Sequence, residues 1–132
     1  MNYITLEQAI ELHDALVEQF GGLKGIRDNH LLESALATPM TTLFQKEMYP
    51  TVFDKAACYL FFIVKNHPFL DGNKRTATAC CLLFLESNGV ELLYEEEKMI
   101  EFVVSVAEGK LDKDEISQYL RSFCLDQEKS TL

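Results

Sequence analysis

KAACYLFFIVKNHPFLDGNKRTATACCLLFL, residues 55–85, decides how this chain reads. Two apolar runs flank a polar interruption of nine residues, HPFLDGNKR (67–75). The first run, apolar from 56 to 64, falls far short of the ~20 residues a membrane helix needs. It predicts a central core helix, opened by Thr51 or Asp54 and apolar nearly all round. It stops at Asn66, because His67 precedes a proline and is biased out of the helical region. The second run predicts another buried helix, from Gly72 or Asn73 to the Asn88-Gly89 stop. A loop held at both ends by core helices is stiff, so its polar groups are presented in fixed positions.

Working outward, Thr5 with Gln8 is a capping box, and Leu6, Ala9, Ile10, Leu12, Leu16, Val17 and Phe20 recur at helical spacing until Gly21-Gly22. Asp28 can cap a short helix carrying Leu31, Leu32, Ala35 and Leu36, ended by Pro39. Residues 40–50 lose the period and read as a loop or extended flap. Residues 95–108 and 113–123 predict two more amphipathic helices, with Ile100, Phe102, Val103 and Val106, then Ile116, Tyr119, Leu120 and Phe123, facing inward. No stretch alternates with a period of two. The fold class is therefore all-α: a compact single-domain bundle of about six helices with one short β-hairpin in the flap. The domain spans residues 1–125, and 126–132 form a flexible C-terminal tail.

A length of 132 residues fits one hydrophobic core, and a composition 48% hydrophobic and 25% charged is that of an ordinary globular chain. The net charge of −9 argues against a surface built to bind nucleic acid or anionic lipid, so any anion site must be local. No direct nucleic-acid or membrane partner is expected. The N-terminus lacks a basic segment followed by an apolar stretch and a cleavage site, which makes the cytoplasm the expected compartment. Cys58, Cys80, Cys81 and Cys124 show no metal-ligand spacing, and three lie in apolar surroundings that suit buried thiols.

The polar loop has the chemistry of a nucleotide-phosphate and metal site. Gly72 permits close approach to the backbone, and the free N–H groups of the helix turn that follows form an anion cradle. Lys74 and Arg75 add two positive charges in that turn, suited to phosphate oxygens. Asp71 supplies a hard oxygen of the kind that holds Mg²⁺ against phosphates, and Asn73 can orient a phosphate or a metal-bound water. His67 is the group able to take a proton near neutral pH, so it is the candidate base for a hydroxyl nucleophile. Together these predict metal-assisted transfer from a nucleotide to a hydroxyl. A plainer reading makes Asp71 a cap, Gly72 a turn and the basic pair solvated. It is disfavoured because cations at a helix N-terminus oppose the helix dipole unless an anion joins them.

His67, Phe69, Asp71, Gly72, Asn73, Lys74 and Arg75 match the signature His-x-Phe-x-Asp/Asn-Ala/Gly-Asn-Lys-Arg, and GIRDNHLLESAL (25–36) is similar to the corresponding upstream segment. On these residues the chain resembles the Fic/Doc superfamily, and more narrowly the death-on-curing (Doc) toxins, over nearly its whole length. The related Fic adenylyltransferases carry a glycine where this chain has Lys74 and an arginine where it has Thr78. Both departures count against AMP transfer. The resemblance implies a toxin kinase that binds ATP reversed and moves its γ-phosphate to a protein hydroxyl, in the family a threonine of elongation factor Tu, blocking translation. It implies His67 as base, Asp71 as Mg²⁺ ligand, and Gly72, Asn73, Lys74 and Arg75 as phosphate contacts. It also implies a flap over residues 42–53 that holds the substrate through backbone pairing, with Thr42, Leu43, Phe44, Tyr49, Thr51 and Phe53 as candidates.

The superfamily's inhibitory helix carries Ser/Thr-x-x-x-Glu-Gly/Asn. Ser105-Val-Ala-Glu108-Gly109 is one residue short, with Val104 where the hydroxyl belongs. The resemblance therefore implies neutralisation by a Phd-like antitoxin, with operon autoregulation as a complex, rather than self-inhibition. An AMP or UMP transferase is the enzymatic alternative, and a non-catalytic binding module that keeps the fold is the other. His13 and His30 have no partner at ligand spacing and read as ordinary surface or interface residues. Arg27 with Asp28 and Glu33 reads as an ion pair and cap shaping the first loop. Glu95, Glu96 and Glu97 read as a solvated helix start or a meeting point for a basic antitoxin.

Overall fold

The most apolar helix takes the centre. A computed structural model describes residues 1–124; the expected tail at 126–132 lies outside the described residues. Helix α3 (Val52–Asn66) packs against α4 (Asn73–Ser87) and α6 (Lys113–Phe123), and more lightly against α2 (Asn29–Ala37) and α5 (Glu96–Ala107), while α1 (Leu6–Phe20) lies on α4. Seven of its residues from Ala56 to Val64 are buried in the core, where Ala56, Ala57, Cys58, Tyr59 and Ile63 have no solvent exposure. Phe84 and Leu85 of α4 and Ile116 of α6 close on them with none either. Burying a side chain of that size contributes about 1.5–3 kcal/mol, which makes the α3–α4–α6 contact the frame on which the α3–α4 loop hangs.

Local signals set the helix ends. Capping boxes open α1 (Thr5 with Gln8), α3 (Thr51 with Asp54) and α6 (Asp112 with Glu115), and Asp28 caps α2 through Leu31 N–H at 3.0 Å. Helix α2 ends at Ala37, two residues before Pro39 as the proline predicts, and a 3₁₀ turn, Thr38–Met40, follows it.

A hairpin follows, as expected. Strand β1 (Thr42–Leu43) pairs antiparallel with β2 (Lys46–Glu47), Thr42 opposite Glu47 and Leu43 opposite Lys46. Phe44 and Gln45 turn the chain with φ of 50° and 65°, the positive values that two-residue hairpins of the primed kind need. The hairpin is narrower than residues 42–53. Thr51 is the N-cap of α3, and Phe53 is a core residue under the Arg121 guanidinium, 4.5 Å away. Neither can pair with a substrate strand.

The hairpin is tied down by Lys55, which is only 1% exposed yet sits on the core helix. Its ammonium donates to the carbonyls of Pro39 (3.5 Å) and Tyr49 and pairs with Glu47 at 3.0 Å. A buried ammonium is tolerable only when its donors are satisfied, and here they hold both sides of the flap.

Three inward assignments need correction. Ile100 is 56% exposed and Tyr119 48% exposed. The apolar stripes of α5 and α6 are wider than the surfaces they pack on, and Tyr119 covers one ring face on Phe102 at 5.4 Å. Phe20, at 53% exposure, likewise leaves the core. No helix among the described residues is long and apolar enough to cross a membrane.

Candidate active site

The loop between α3 and α4 begins with a left-handed residue. His67 is the C-cap of α3 at φ 47°, ψ 55°. Pro68 disfavours the helical region for it, and histidine tolerates the left-handed region better than most side chains. Its exposed ring lies with Nδ1 3.4 Å from the Asn73 amide nitrogen. That is the long limit of a hydrogen bond, enough to orient the ring, and Nε2 has no hydrogen-bond partner among the described residues.

Asn73 is 8% exposed and almost wholly spent inside the loop. Its Oδ1 accepts from Phe69 N–H (2.9 Å) and its Nδ2 donates to the Phe69 carbonyl (3.0 Å). The expected contact of this side chain with phosphate is therefore corrected: it braces the loop and steadies His67, while its backbone N–H stays open. Helix α4 has Gly72 as N-cap at φ 72° and no side-chain cap, and its first internal bond is Thr76 N–H to Gly72 O at 3.0 Å. Among the described residues the N–H groups of Asn73, Lys74 and Arg75 have no hydrogen-bond partner, the arrangement of the anion cradle that the sequence predicts.

An open cleft of about 400 Å³ is lined by His67, Leu70, Asp71, Gly72, Asn73, Lys74 and Arg75. The structure thus brings the candidate base, the carboxylate and the basic pair to one surface. The Lys74 side chain is exposed. Arg75 is stacked, its guanidinium 4.5 Å from the centroid of the Phe20 ring, an aromatic partner worth about 0.5–1 kcal/mol at an exposed site. Thr78 gives its hydroxyl to the Lys74 carbonyl at 2.8 Å.

Asp71 is exposed and leans toward the α1–α2 loop, its Oδ2 accepting from Leu23 N–H at 3.3 Å and its Oδ1 from Gly72 N–H at 2.9 Å. Each carboxylate oxygen keeps a lone pair free, so one hard oxygen ligand for a divalent cation fits. Among the described residues no three His, Cys, Asp or Glu side chains gather to hold a metal. A cation here would take Asp71 together with phosphate and water oxygens, the coordination that Mg²⁺ favours.

His13 overturns its reading as an ordinary surface or interface residue. It is 1% exposed, stacks on Phe69 with ring centroids 4.0 Å apart and planes 8° apart, and its Nε2 lies 2.7 Å from the Asp71 carbonyl. A carbonyl only accepts, so Nε2 carries the proton. Its position on the Ala9–His13–Val17 stripe was the available signal. His30 is exposed, as expected.

Arg27 forms no ion pair with Asp28 or Glu33. Asp28 caps α2, and Glu33 accepts from Asn29 at 3.2 Å. Arg27 instead reaches the end of α3, forty positions away, where sequence spacing carries no signal. On the far side of His67 a second cleft, about 360 Å³, is lined by Phe61, Val64, Lys65, Val106, Ala107, Gly109 and Leu111. The hairpin residues Thr42, Leu43 and Phe44 are exposed, and Tyr49 is half-buried.

The description Fic/DOC family fits residues 3–85. The chain is 39% identical over 106 residues to "Toxin Doc" of Mycolicibacterium smegmatis, covering 79% of this chain and 82% of that protein. It is 32% identical over 121 residues to "Protein kinase doc" of Escherichia phage P1, covering 92% of this chain and 94% of that one. The similarity runs through the loop, the cradle and the helices that carry them, and the chain belongs to the Fic/DOC family.

Proposed function

We propose that this chain is a Doc-type toxin, an ATP-dependent kinase that transfers the γ-phosphate to a protein hydroxyl. The observation that carries the reading is Lys74, exposed in the first, uncapped turn of α4 beside Asp71 and His67. A lysine there meets terminal phosphate oxygens with a point charge, whereas an AMP transferase needs a glycine against its nucleotide. Thr78, spent on the Lys74 carbonyl, supplies no second arginine for that chemistry. The relatives' names, toxin and protein kinase, support the same assignment.

In the proposed reaction the N–H groups and basic side chains of α4 bind the phosphates. Mg²⁺, held by Asp71, would supply charge neutralisation on the phosphate oxygens. His67 takes the proton of the acceptor hydroxyl, whose oxygen forms a bond to the γ-phosphorus as the bond to the β–γ bridging oxygen breaks, and ADP leaves. The hairpin, pinned by Lys55, offers backbone edges to a substrate segment.

We take the acceptor to be the family substrate, a threonine of elongation factor Tu, and the outcome a block of translation in the cytoplasm. Glu108 pairs with Lys110 at 3.0 Å rather than with a basic residue of the cleft, which supports neutralisation by a separate Phd-like antitoxin.

The test supplies wild type and His67→Ala with Mg²⁺, elongation factor Tu and ATP labelled at the γ- or α-phosphate. A gain of about 80 Da carrying γ-label only, absent in the variant, is expected. A gain of about 329 Da with α-label means AMP transfer, and no label on this protein or any lysate protein means a binding module.

A further inference from the structure

We infer that Arg27, far from the loop signature in sequence, is a positioning residue for His67. The inference rests on the kinase reading for its kinetic consequence, and on geometry alone for the position of the base. Three consecutive carbonyls, of Asn66, His67 and Pro68, all accept hydrogen bonds from the chain at residues 27–28. Arg27 Nε donates to His67 O at 2.6 Å and its Nη2 to Asn66 O at 2.7 Å. The backbone N–H groups of Arg27 and Asp28 donate to Pro68 O at 2.7 and 3.0 Å.

The same segment continues as a strand-like brace. Ile26 bridges Phe69, and Leu70 N–H reaches Gly25 O at 3.1 Å. The α1–α2 loop therefore grips the site loop from Asn66 to Leu70, and Arg27 is its only side-chain contribution at the His67 end.

The consequence follows from backbone sterics. Pro68 disfavours the right-handed helical region for His67, which favours the extended and left-handed regions. Extended backbone is the easier choice for any residue with a Cβ. Something must hold φ at 47°, and the guanidinium fork on the Asn66 and His67 carbonyls, one on each side of the His67 Cα, does so. Without it, rotation to extended backbone swings the imidazole away from Asn73 and from the cleft. A lysine reaches one carbonyl as a point charge and cannot span both, because the fork geometry belongs to the planar guanidinium.

The test compares wild type, Arg27→Gln and Arg27→Lys. Each is checked for folding by circular dichroism, then read by γ-phosphate transfer to elongation factor Tu and by the imidazole Cε1–H signal of His67 in ¹H–¹³C spectra. The signal is assigned by its loss in His67→Gln, and only His13 and His30 contribute others. We expect kcat to fall about 100-fold in both variants, the size of effect a displaced catalytic group produces, with KM for ATP within about twofold. We also expect the His67 signal to shift or broaden while that of His30 stays. Lysine should not restore either.

An unchanged His67 signal with unchanged kcat, and only a lower Tm, would make Arg27 a plain helix cap and overturn the inference. Full rescue by lysine would do the same, since charge alone would then suffice. If Arg27→Gln fails to fold, Arg27→Lys carries both readouts. If wild type transfers no phosphate, the kinase reading fails, and the His67 signal still decides the positioning role.

Discussion

Gly22 is the residue whose replacement tests the site most directly. It lies in the α1–α2 loop at φ +114°, and a Cβ there would stand 2.7 Å from Asp71 Oδ2 and 3.2 Å from its Cγ. Gly21, beside it at φ +86°, has nothing within 4 Å of the same atom. Alanine at either position carries the backbone strain of positive φ, about 1–3 kcal/mol. Only Gly22→Ala adds a contact, and the Asp71 carboxylate must rotate away from it. It then gives up the hydrogen bonds from Leu23 and Gly72, each worth about 0.5–1.5 kcal/mol. Gly22→Ala should therefore be about 1–3 kcal/mol less stable than Gly21→Ala, a Tm lower by roughly 3–10 °C for a chain of this size. Because the displaced group is the proposed metal ligand, phosphate transfer should fall about 100-fold in Gly22→Ala and remain within about threefold of wild type in Gly21→Ala. Differential scanning calorimetry and the γ-label assay read the two effects. Equal Tm and equal activity in the pair would refute the reasoning, because Asp71 would then not depend on the space that Gly22 leaves.

Thr76 is fully buried and its hydroxyl has no hydrogen-bond partner among the described residues; Thr76→Val, close in shape, should raise stability by about 1 kcal/mol, and a fall in Tm would mean that the hydroxyl is bonded after all. Burial pushes the thiols of Cys58 and Cys80 up to about 12 and raises that of Cys81 further, so at pH 8 a thiol-exchange reagent should consume Cys124 alone in the native chain and all four cysteines in denaturant; early loss of a second thiol counts against this core. Burial by itself would raise the Asp54 carboxyl, but hydrogen bonds from Ser117 and Thr51 and the Arg121 charge outweigh it, and its pKa lies below the ordinary 3.8. A depressed carboxyl gives stability that is present above the unfolded-state value and lost as pH falls through the folded one. The Tm gap between wild type and Asp54→Asn should accordingly narrow from pH 7 to pH 3, and a gap that stays constant would contradict the shift.

The helices are legible in the sequence because their causes are local: Thr5, Thr51 and Asp112 open α1, α3 and α6 with capping boxes, and Gly72 starts α4 where the loop ends. The sequence also placed the base, the carboxylate and the basic pair on one loop, since nine contiguous residues between two core helices cannot be far apart. Tertiary structure alone decided what holds that loop. His13 comes from α1 to stack under Phe69, Arg27 crosses forty positions to fix His67, and Lys55 reaches out from the core helix to pin the hairpin. The contacts that fix the loop from His13 and Arg27 cross 58 and 40 positions, and a polar side chain on an apolar face reads as an exception until the surface that satisfies it is in place. Asn73 shows the same limit in reverse: its chemistry suits phosphate, but burial against Phe69 takes both ends of its amide first. Periodicity gives which face of a helix turns inward, and only packing gives how far that face is covered, which is why Phe20 left the core to lie under Arg75.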